Sequence, residues 1–305
     1  MLTRRMMTLG LMGSALAPAT AAFAADDWRA KYPEIVYATI PAENASGVTE
    51  RYAPFIAYLS KTLGVKVTLR IATDYAAAIE GQRAGNIHIA GYGPASYVRA
   101  YSVTNGGVEP FNTTINADGS IGYYSVAYVR AEDAAKKLED LKGKNLGLVD
   151  PNSTSGNNVP RFAMNKLGID PTKFFSKIVY TGSHENALLA LKSGTVDIAF
   201  NWWNSETDSN LTRMVNKNMV KAEEFRSIFR SDLIAGSPNA YLTALPAEMK
   251  AAIAKAFMDA PKADKAAFDK LSDGKDLGFK AVTHADYKAV VDLQEFVDQL
   301  RKQKS

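Results

Sequence analysis

Three consecutive hydroxyl residues, Ser153, Thr154 and Ser155, lie between a predicted strand and a predicted helix, in the segment DPNSTSG at 150–156. The first N–H groups of a helix have no acceptor inside the helix, and they lie at the positive end of its dipole. An anion gains from both effects, so such helix starts bind phosphate-like groups. One hydroxyl is enough to cap a helix. Three of them before Gly156 predict an anion site, although an ordinary cap in a polar loop would use the same residue types.

Two other predicted helix starts carry side chains that can donate to an anion. Tyr75 opens one of these helices and His184 opens the other. A tyrosine hydroxyl and an imidazole N–H are both hydrogen-bond donors. Ligands of open α/β sheets bind beyond the carboxyl ends of the strands, which is where these helices begin. We therefore expect Tyr75 and His184 to face the same anion as the three hydroxyls.

The remaining histidines and the absence of cysteine argue against metal chemistry. His88 lies within a predicted strand and His284 precedes the last helix, and both are interpreted as structural. The three histidines have no metal-ligand spacing, and the chain has no cysteine for a thiolate site or a disulfide. The sequence therefore predicts neither a metal nor a cofactor. Trp202 and Trp203 follow a strand, where they line a cleft or pack a hinge.

Strand and helix patterns alternate along the chain, which is typical of α/β proteins. The predicted strands are 35–40, 65–71, 87–90, 122–129, 145–149, 177–180, 196–200 and 240–242. The predicted helices are 48–63, 75–84, 156–167, 184–192, 246–258, 262–271 and 284–302.

The two halves of this pattern resemble each other. Residues 75–92 align with 184–201 without a gap, and Gly85 then lies opposite Gly194. Identities are few, and any two strand–helix–strand units look alike, so common ancestry stays open. In either case the sequence predicts two similar α/β units.

The last helices have no counterpart in the second unit, so the simplest topology returns them to the first. We expect a first lobe of residues 25–128 and 233–305 and a second lobe of residues 129–232. The two crossings, near Val129 and Leu233, would then form a hinge.

Residues 1–24 have the features of an export signal. Arg4 and Arg5 precede an apolar stretch, which ends in the cleavage motif Ala-Phe-Ala at 22–24. The arginine pair suits twin-arginine export, and a Sec signal fits as well. The chain has 36 basic and 32 acidic residues and no basic stripe of the kind that binds nucleic acid. We expect a monomer, free in the periplasm, that does not bind nucleic acid.

Four motifs then resemble a known family in their order and spacing. They are TDYA at 73–76, ADGSIGYYS at 117–125, DPNSTSG at 150–156 and GSHENAL at 182–188. Over residues 35–242 the chain resembles the periplasmic phosphonate-binding proteins of phosphonate ABC importers. The resemblance implies a two-lobed α/β type II periplasmic binding protein with a two-strand hinge. It also implies a binding protein without enzymatic activity, whose partners are a small phosphorus oxyanion and an inner-membrane permease and ATPase.

The resemblance also implies two sets of ligand contacts. The residues that it assigns to the phosphonate oxygens are Tyr75, Tyr123, Ser153, Thr154, Ser155 and His184. For the organic substituent we expect contacts from Tyr92, Trp202, Asn204, Glu206 and Ser237, of which the resemblance points to Asn204, with Glu206 as its alternative, and to Ser237. Tyr123 enters through the resemblance alone, since its own pattern indicates only a strand.

The substituent end departs from the family pattern. Members that take aminoalkylphosphonates place carboxylates there to meet the ammonium. One such position falls on Asn204, with Glu206 two residues later, and the other falls on Ser237. Losing these acids predicts weak attraction for an ammonium, which disfavours 2-aminoethylphosphonate. Methylphosphonate, a hydroxylated phosphonate, a phosphate ester and phosphite remain open.

Two other functions use some of the same residues. A hydrolase could use Ser153 or Ser155 as nucleophile with His184 as base, but the chain lacks a G-x-S-x-G elbow. A ferric-iron binding protein could use the adjacent Tyr123 and Tyr124. Strand alternation would send those two side chains to opposite faces, which weakens the iron hypothesis.

Overall fold

The computed structural model describes residues 27–302 of the chain. The predicted export signal at 1–24 lies outside this range. The strands of the described part are β1 (Glu34–Thr39), β2 (Lys66–Ile71), β3 (Ile89–Gly91), β4 (Val108–Asn116), β5 (Tyr124–Arg130), β6 (Asn145–Leu148), β7 (Lys177–Tyr180), β8 (Ile198–Ser205), β9 (Asp208–Ser209), β10 (Phe225–Arg230), β11 (Pro238–Leu242) and β12 (Asp276–Ala281).

Helices of very different lengths connect these strands. They are α1 (Trp28–Lys31), α2 (Ala45–Leu63), α3 (Tyr75–Arg83), α4 (Pro94–Val103), α5 (Val159–Lys166), α6 (Pro171–Phe174), α7 (His184–Lys192), α8 (Asn210–Asn216), α9 (Ala247–Ala263), α10 (Lys265–Ser272) and α11 (Lys288–Lys302). Short 3-10 helices lie at Leu138–Leu141, Ala222–Glu224 and His284–Tyr287, and one π-helical turn lies at Thr154–Asn158. Within residues 27–302, no helix combines the length and the apolar character needed to cross a membrane.

The strands form two separate sheets. The first has the order β12-β4-β11-β3-β1-β2, and the second has the order β10-β5-β8-β6-β7 with β9 paired to β8. In the first sheet β1 is parallel to β2 and β3, while β11 is antiparallel to β3 and β4. In the second sheet β6 is parallel to β7 and β8, while β5 is antiparallel to β8 and β10. We call the first sheet with α1–α4 and α9–α11 lobe 1, and the second sheet with α5–α8 lobe 2.

The chain passes between the two sheets at residues 117–123 and 231–237, and these segments lie side by side. The Tyr123 N–H donates to the Ile234 carbonyl at 3.1 Å, and the Ile234 N–H donates to the Tyr123 carbonyl at 2.8 Å. We propose that this antiparallel pair is the hinge. The predicted crossing near Val129 needs correction, because β5 pairs within the second sheet along its whole length.

Each sheet is covered on both faces because alternate strand residues point to opposite sides. In lobe 1, Ile35 of β1 packs with α2 and α9, while Ala38 packs with α3 and α4. In lobe 2, Val126 and Ala127 of β5 likewise enter different cores. Large side chains fully buried in this way each contribute about 1.5–3 kcal/mol. Each lobe is therefore a three-layer α/β unit with a core of its own.

Local capping explains why α3 and α7 begin where the sequence predicts. The Asp74 side chain accepts from the Ala77 N–H at 2.7 Å, and the Ser183 side chain accepts from the Asn186 N–H at 3.1 Å. Gly85 and Gly194 follow the two helices with φ of 76° and 77°. Gly85 and Gly194 thus take the same place after helices of equal length, as the gap-free alignment of the two units predicts.

The hinge yields a stability prediction at Gly122, whose φ is 132°. A Cβ there would lie 2.3 Å from the Ile234 carbonyl oxygen, which is backbone and cannot rotate away. We expect Gly122→Ala to lower the free energy of unfolding by about 1–3 kcal/mol, as overpacking and backbone strain do. Urea titration of unfolding measures this loss.

Gly119→Ala is the matched control in the same hairpin. Its φ of 81° is also positive, so alanine is strained there too, but no heavy atom lies within 4 Å of the new Cβ. Equal losses in the two variants would show that the contact with Ile234 does not constrain the hinge.

Candidate functional site

One cavity of about 270 Å³ lies between the lobes and reaches the hinge. Lobe 1 supplies Tyr75 and Gly93 to its lining, the hinge segments supply Tyr123 and Ser237, and lobe 2 supplies the turn at 153–155. His184 lines the same cavity. The structure therefore brings together all six residues that the sequence and the resemblance assign to an oxyanion.

The Ser153–Ser155 turn keeps its hydroxyl hydrogens available. The Ser153 hydroxyl oxygen accepts from the Gly156 N–H at 3.1 Å, and the Thr154 hydroxyl oxygen accepts from the Ala95 N–H at 2.9 Å. The Ser125 hydroxyl holds the turn by donating to the Ser155 carbonyl at 2.6 Å. Because the Ser153 and Thr154 oxygens already act as acceptors, their O–H groups can donate to a ligand. The first N–H groups of the turn add backbone donors.

Thr154 also connects the lobes, because Ala95 belongs to the first turn of α4. The cap residue Gly93 has no side chain to cap that helix. The hydroxyl of lobe 2 therefore caps a helix of lobe 1. The start of α4 beside the cavity is a feature that the sequence analysis missed, although the Gly93-Pro94 pair is a common helix-start signal.

The two tyrosines are neutral donors at the same end of the cavity. Burial raises the pKa of Tyr75, and the nearby Ser153 hydroxyl only partly offsets this effect. Burial likewise raises the pKa of Tyr123 to about 12, against the opposing effect of the Thr154, Ser155 and Ser237 hydroxyls. Both phenols therefore keep their protons and can donate to an anion.

His184 is also uncharged at neutral pH. Burial lowers its pKa to about 4, and a hydrogen bond with Asn201 only partly opposes the shift. Its Nδ1 atom is buried without a hydrogen-bond partner among residues 27–302. Its backbone N–H donates across the cleft to the Ala42 carbonyl at 3.1 Å. The backbone thus anchors His184 at the lobe boundary, and Nδ1 is a polar atom of its ring without a protein partner among these residues.

The charged residues of the described lining are Arg51, Arg213 and Asp276. None of the six residues of the oxyanion set carries a charge at neutral pH. An anion there would be bound by neutral O–H and N–H dipoles. Such hydrogen bonds to an ion are about twice as strong as neutral ones.

The substituent set divides into two groups. Trp202, Asn204 and Ser237 line the cavity, as expected. Tyr92 also lies on the lining, but its hydroxyl donates to the Ala78 carbonyl at 3.2 Å within lobe 1. The Tyr92 phenol therefore cannot point its hydroxyl at a ligand without breaking that bond.

Glu206 does not belong to this site, which corrects the expectation. Strand β8 ends at Ser205, and Glu206 lies in the exposed turn of the β8–β9 hairpin. It borders a different cavity, which is lined by residues of lobe 2. Alternation along β8 would have pointed the Glu206 side chain into the cavity, but the strand ends one residue before Glu206.

The same alternation separates Trp202 from Trp203 and Tyr123 from Tyr124. The Trp203 ring contacts the Tyr124 ring at 5.6 Å between centroids, away from the binding cavity. A pair of adjacent phenolates for ferric iron is therefore not present at the cavity. Residues 27–302 also contain no cluster of three or more His, Asp or Glu suited to a metal.

The two other histidines have structural partners. The Nδ1 atom of His88 accepts from the Val36 N–H at 2.9 Å. His284 stacks on the Tyr101 ring with centroids 3.7 Å apart, and its Nδ1 is 2.8 Å from the Tyr97 hydroxyl.

Comparison with known proteins agrees with this geometry. A family model described as the periplasmic substrate-binding protein of phosphonate ABC transporters matches residues 37–287. The chain belongs to this family. The phosphate-import protein PhnD of Mycolicibacterium smegmatis is 33% identical over 278 residues, which cover 85% of this chain and 84% of that protein. The phosphonates-binding periplasmic protein of Escherichia coli is 35% identical over 244 residues, which cover 77% and 69%.

A solved structure extends the likeness to the fold. The binding protein component of an ABC phosphonate transporter from Pseudomonas aeruginosa superposes with a TM-score of 0.77 at 29% identity, covering 87% of this chain and 86% of that one. The predicted two-lobed α/β type II periplasmic binding protein fold is confirmed. The family consists of periplasmic transport components that bind substrates.

A buried ionic network joins the lobes beside the cavity of this phosphonate-family protein. The Lys217 ammonium lies 2.7 Å from Glu43 of lobe 1 and 2.8 Å from Glu185 of lobe 2. Glu185 in turn accepts from the Asn44 N–H at 2.7 Å and from its side-chain amide at 2.9 Å. The two carboxylate side chains are only 3% and 2% exposed. Burial would raise the pKa of Glu43, but Arg51, Arg213 and Lys217 outweigh it and hold the pKa at about 2.

Asp276 on β12 is a cavity residue that the sequence analysis missed. Burial raises its pKa to about 7, and repulsion from Asp208 adds to this effect. Arg213 and Arg51 lower the pKa, while Asp273 raises it. No local pattern marks this aspartate, because it enters the site through long-range pairing of β12 with β4.

The raised pKa of Asp276 predicts a pH-dependent stability difference. Between about pH 4 and pH 7 the folded state holds this proton more tightly than the unfolded chain, so stability falls as pH rises. Asp276→Asn removes that loss. We expect the variant to be more stable than the wild type by about 1–2 kcal/mol at pH 8 and unchanged at pH 4. Thermal unfolding of both proteins at pH 4 and pH 8 tests this prediction. The same stability difference between variant and wild type at the two pH values would contradict it.

Proposed function

We propose that this protein captures one phosphonate, or a closely related phosphorus oxyanion, between its lobes and delivers it to an ABC permease. One observation carries the proposal. The Ser153–Ser155 turn, Tyr75, Tyr123 and His184 all line a single inter-lobe cavity. These residues offer donors in several directions and no charge, which suits an oxyanion with several equivalent oxygens.

Binding would proceed by closure of the hinge. In an open form the oxyanion docks on the Ser153–Ser155 turn of lobe 2, and lobe 1 then closes with Tyr75. Contacts made only when the lobes touch, such as Thr154 to Ala95, would shift the equilibrium toward the closed form. The role is binding, and no step of it requires catalysis.

Calorimetry of the purified protein tests the proposed function. Methylphosphonate, ethylphosphonate, phosphite, phosphate and sulfate are titrated separately at fixed pH and salt. We expect saturable binding of at least one phosphonate with one site per chain. Binding of sulfate, with no measurable binding of any of the four phosphorus oxyanions, would overturn the proposed ligand. Conversion of a phosphonate during the titration would instead indicate an enzyme.

The proposed role requires export of the protein to the periplasm and contact with an inner-membrane transporter. We propose that the signal is cleaved after Ala24, so that a soluble monomer works in the periplasm with an inner-membrane permease and ATPase. The mass of the protein recovered from the periplasm should correspond to a chain that begins at Ala25. A full-length mass there would contradict cleavage.

A further inference from the structure

The lining of the cavity contains a donor without an acceptor. Two nitrogens of the Arg51 guanidinium are engaged, one with the Leu271 carbonyl and one with Glu43. The third, Nε, is buried and has no hydrogen-bond partner among the described residues. Arg51 lines the cavity. A buried donor without an acceptor is costly, so native structures normally supply a partner.

An acceptor without a donor lies on the same lining. Asp276 lines the same cavity. Its carboxyl group has no hydrogen bond or ion pair with any side chain or backbone group between residues 27 and 302. Arg51 and Arg213 influence it only through space.

The neighbouring charges are already committed to protein partners. Arg213 pairs with Asp273 at 3.1 Å and with Glu43 at 3.5 Å, and its guanidinium stacks over Trp202. The Asp208 carboxylate accepts from the Asn204 amide at 2.6 Å. Arg51 Nε–H and the Asp276 carboxyl are therefore left as a donor and an acceptor on the lining of one cavity, and Arg51 lies close enough to lower the pKa of Asp276.

We propose that Arg51 and Asp276 determine ligand specificity by binding a hydroxyl group on the organic substituent of the phosphonate. This inference rests on the proposed function, because the oxyanion must first be held in the same cavity. A hydroxyl accepts one hydrogen bond and donates another. It would accept from Arg51 Nε–H and donate to the Asp276 carboxyl.

Other substituents satisfy this pair less completely. An alkyl group would leave both Arg51 Nε and Asp276 unsatisfied. An ammonium group only donates, so it would leave Arg51 Nε without an acceptor and would place a cation beside two guanidinium groups. Hydroxyalkylphosphonates are the ligand class that satisfies both groups.

Calorimetry with three ligands of matched length tests the proposal. The ligands are ethylphosphonate, 2-hydroxyethylphosphonate and 2-aminoethylphosphonate, titrated into the full mature chain. We expect the hydroxyl ligand to bind about tenfold more tightly than ethylphosphonate, since one further hydrogen bond to an ionisable group has about that effect. We also expect it to bind more tightly than the ammonium ligand.

Two variants separate Asp276 from general damage to the site. Asp276→Leu should abolish the preference for the hydroxyl ligand and leave ethylphosphonate affinity unchanged or higher. Asp276→Asn keeps a side-chain acceptor and should retain most of the preference. Asp292→Asn, which removes an exposed carboxylate from α11, should change nothing.

The results separate the role of Arg51 and Asp276 from phosphonate binding itself. Equal wild-type affinities for the ethyl and hydroxyethyl ligands would overturn the role of Arg51 and Asp276 while leaving phosphonate binding intact. Tighter binding of 2-aminoethylphosphonate would also overturn it and would show an ammonium site. If none of the three ligands binds, this inference fails; the proposed function fails as well only if methylphosphonate, phosphite and phosphate also do not bind.

Discussion

Replacing Lys217 by methionine should weaken phosphonate binding by about 2 kcal/mol or more, which is roughly thirtyfold. Lys217 holds Glu43 and Glu185 together across the lobes, and both carboxylates are almost fully buried. Removing one partner of a buried charged pair leaves the other charge uncompensated. In an open form water would reach both carboxylates. The free-energy penalty should therefore fall on the closed, ligand-bound form. The loss of binding free energy should be larger than the loss in the free energy of unfolding of the ligand-free protein.

Calorimetric affinity for the best phosphonate, measured beside the denaturant stability of the free chain, checks this result. Lys192→Met is the control, because Lys192 pairs with Glu224 on the surface, where both side chains are about a third exposed or more. Exposed pairs contribute about 0–1 kcal/mol. If Lys217→Met and Lys192→Met both left affinity unchanged, the network would have no part in closure.

Removing one donor from the oxyanion end should also be costly. We expect Ser155→Ala and His184→Ala each to weaken phosphonate binding by about 1–3 kcal/mol, the usual range for a hydrogen bond to a charged group. The Ser155 side chain lies on the cavity wall, where its hydroxyl interacts with the Tyr123 phenol, another cavity residue. Its loss should therefore change affinity with little change in stability.

The measurement is again calorimetry, with methylphosphonate as the smallest phosphonate probe. Ser102→Ala is the control, because Ser102 is exposed on α4, away from the cavity lining. Unchanged affinity in both Ser155→Ala and His184→Ala would remove these residues from the site.

The oxyanion end was predictable because its signals are local. Asp74 and Ser183 cap helices by short-range hydrogen bonds, so Tyr75 and His184 could be placed at helix starts from the sequence alone. The same holds for the hydroxyls that begin at Ser153. Tyr123 could be assigned only through the family resemblance, because its position depends on pairing with Ile234 far along the chain.

The substituent end was not predictable for the same reason. Asp276 reaches the cavity because β12 pairs with β4, and the sequence shows no strand pattern at that point. Arg51 lies on α2 and turns inward to Glu43, which nothing in the helix pattern requires. Glu206 was misplaced because alternation cannot show where β8 ends. The crossing near Val129 failed because the pairing of β5 with β8 and β10 is long-range.

A crystal structure with methylphosphonate tests most directly whether neutral donors of the inter-lobe cavity bind an oxyanion. The phosphorus position can be read without ambiguity from its density. The account predicts phosphonate oxygens about 2.5–3.0 Å from the hydroxyls of Ser153, Thr154 and Ser155, with Tyr75, Tyr123 and His184 around the remaining oxygens. A phosphonate bound elsewhere on the chain, with this turn unoccupied, would contradict it.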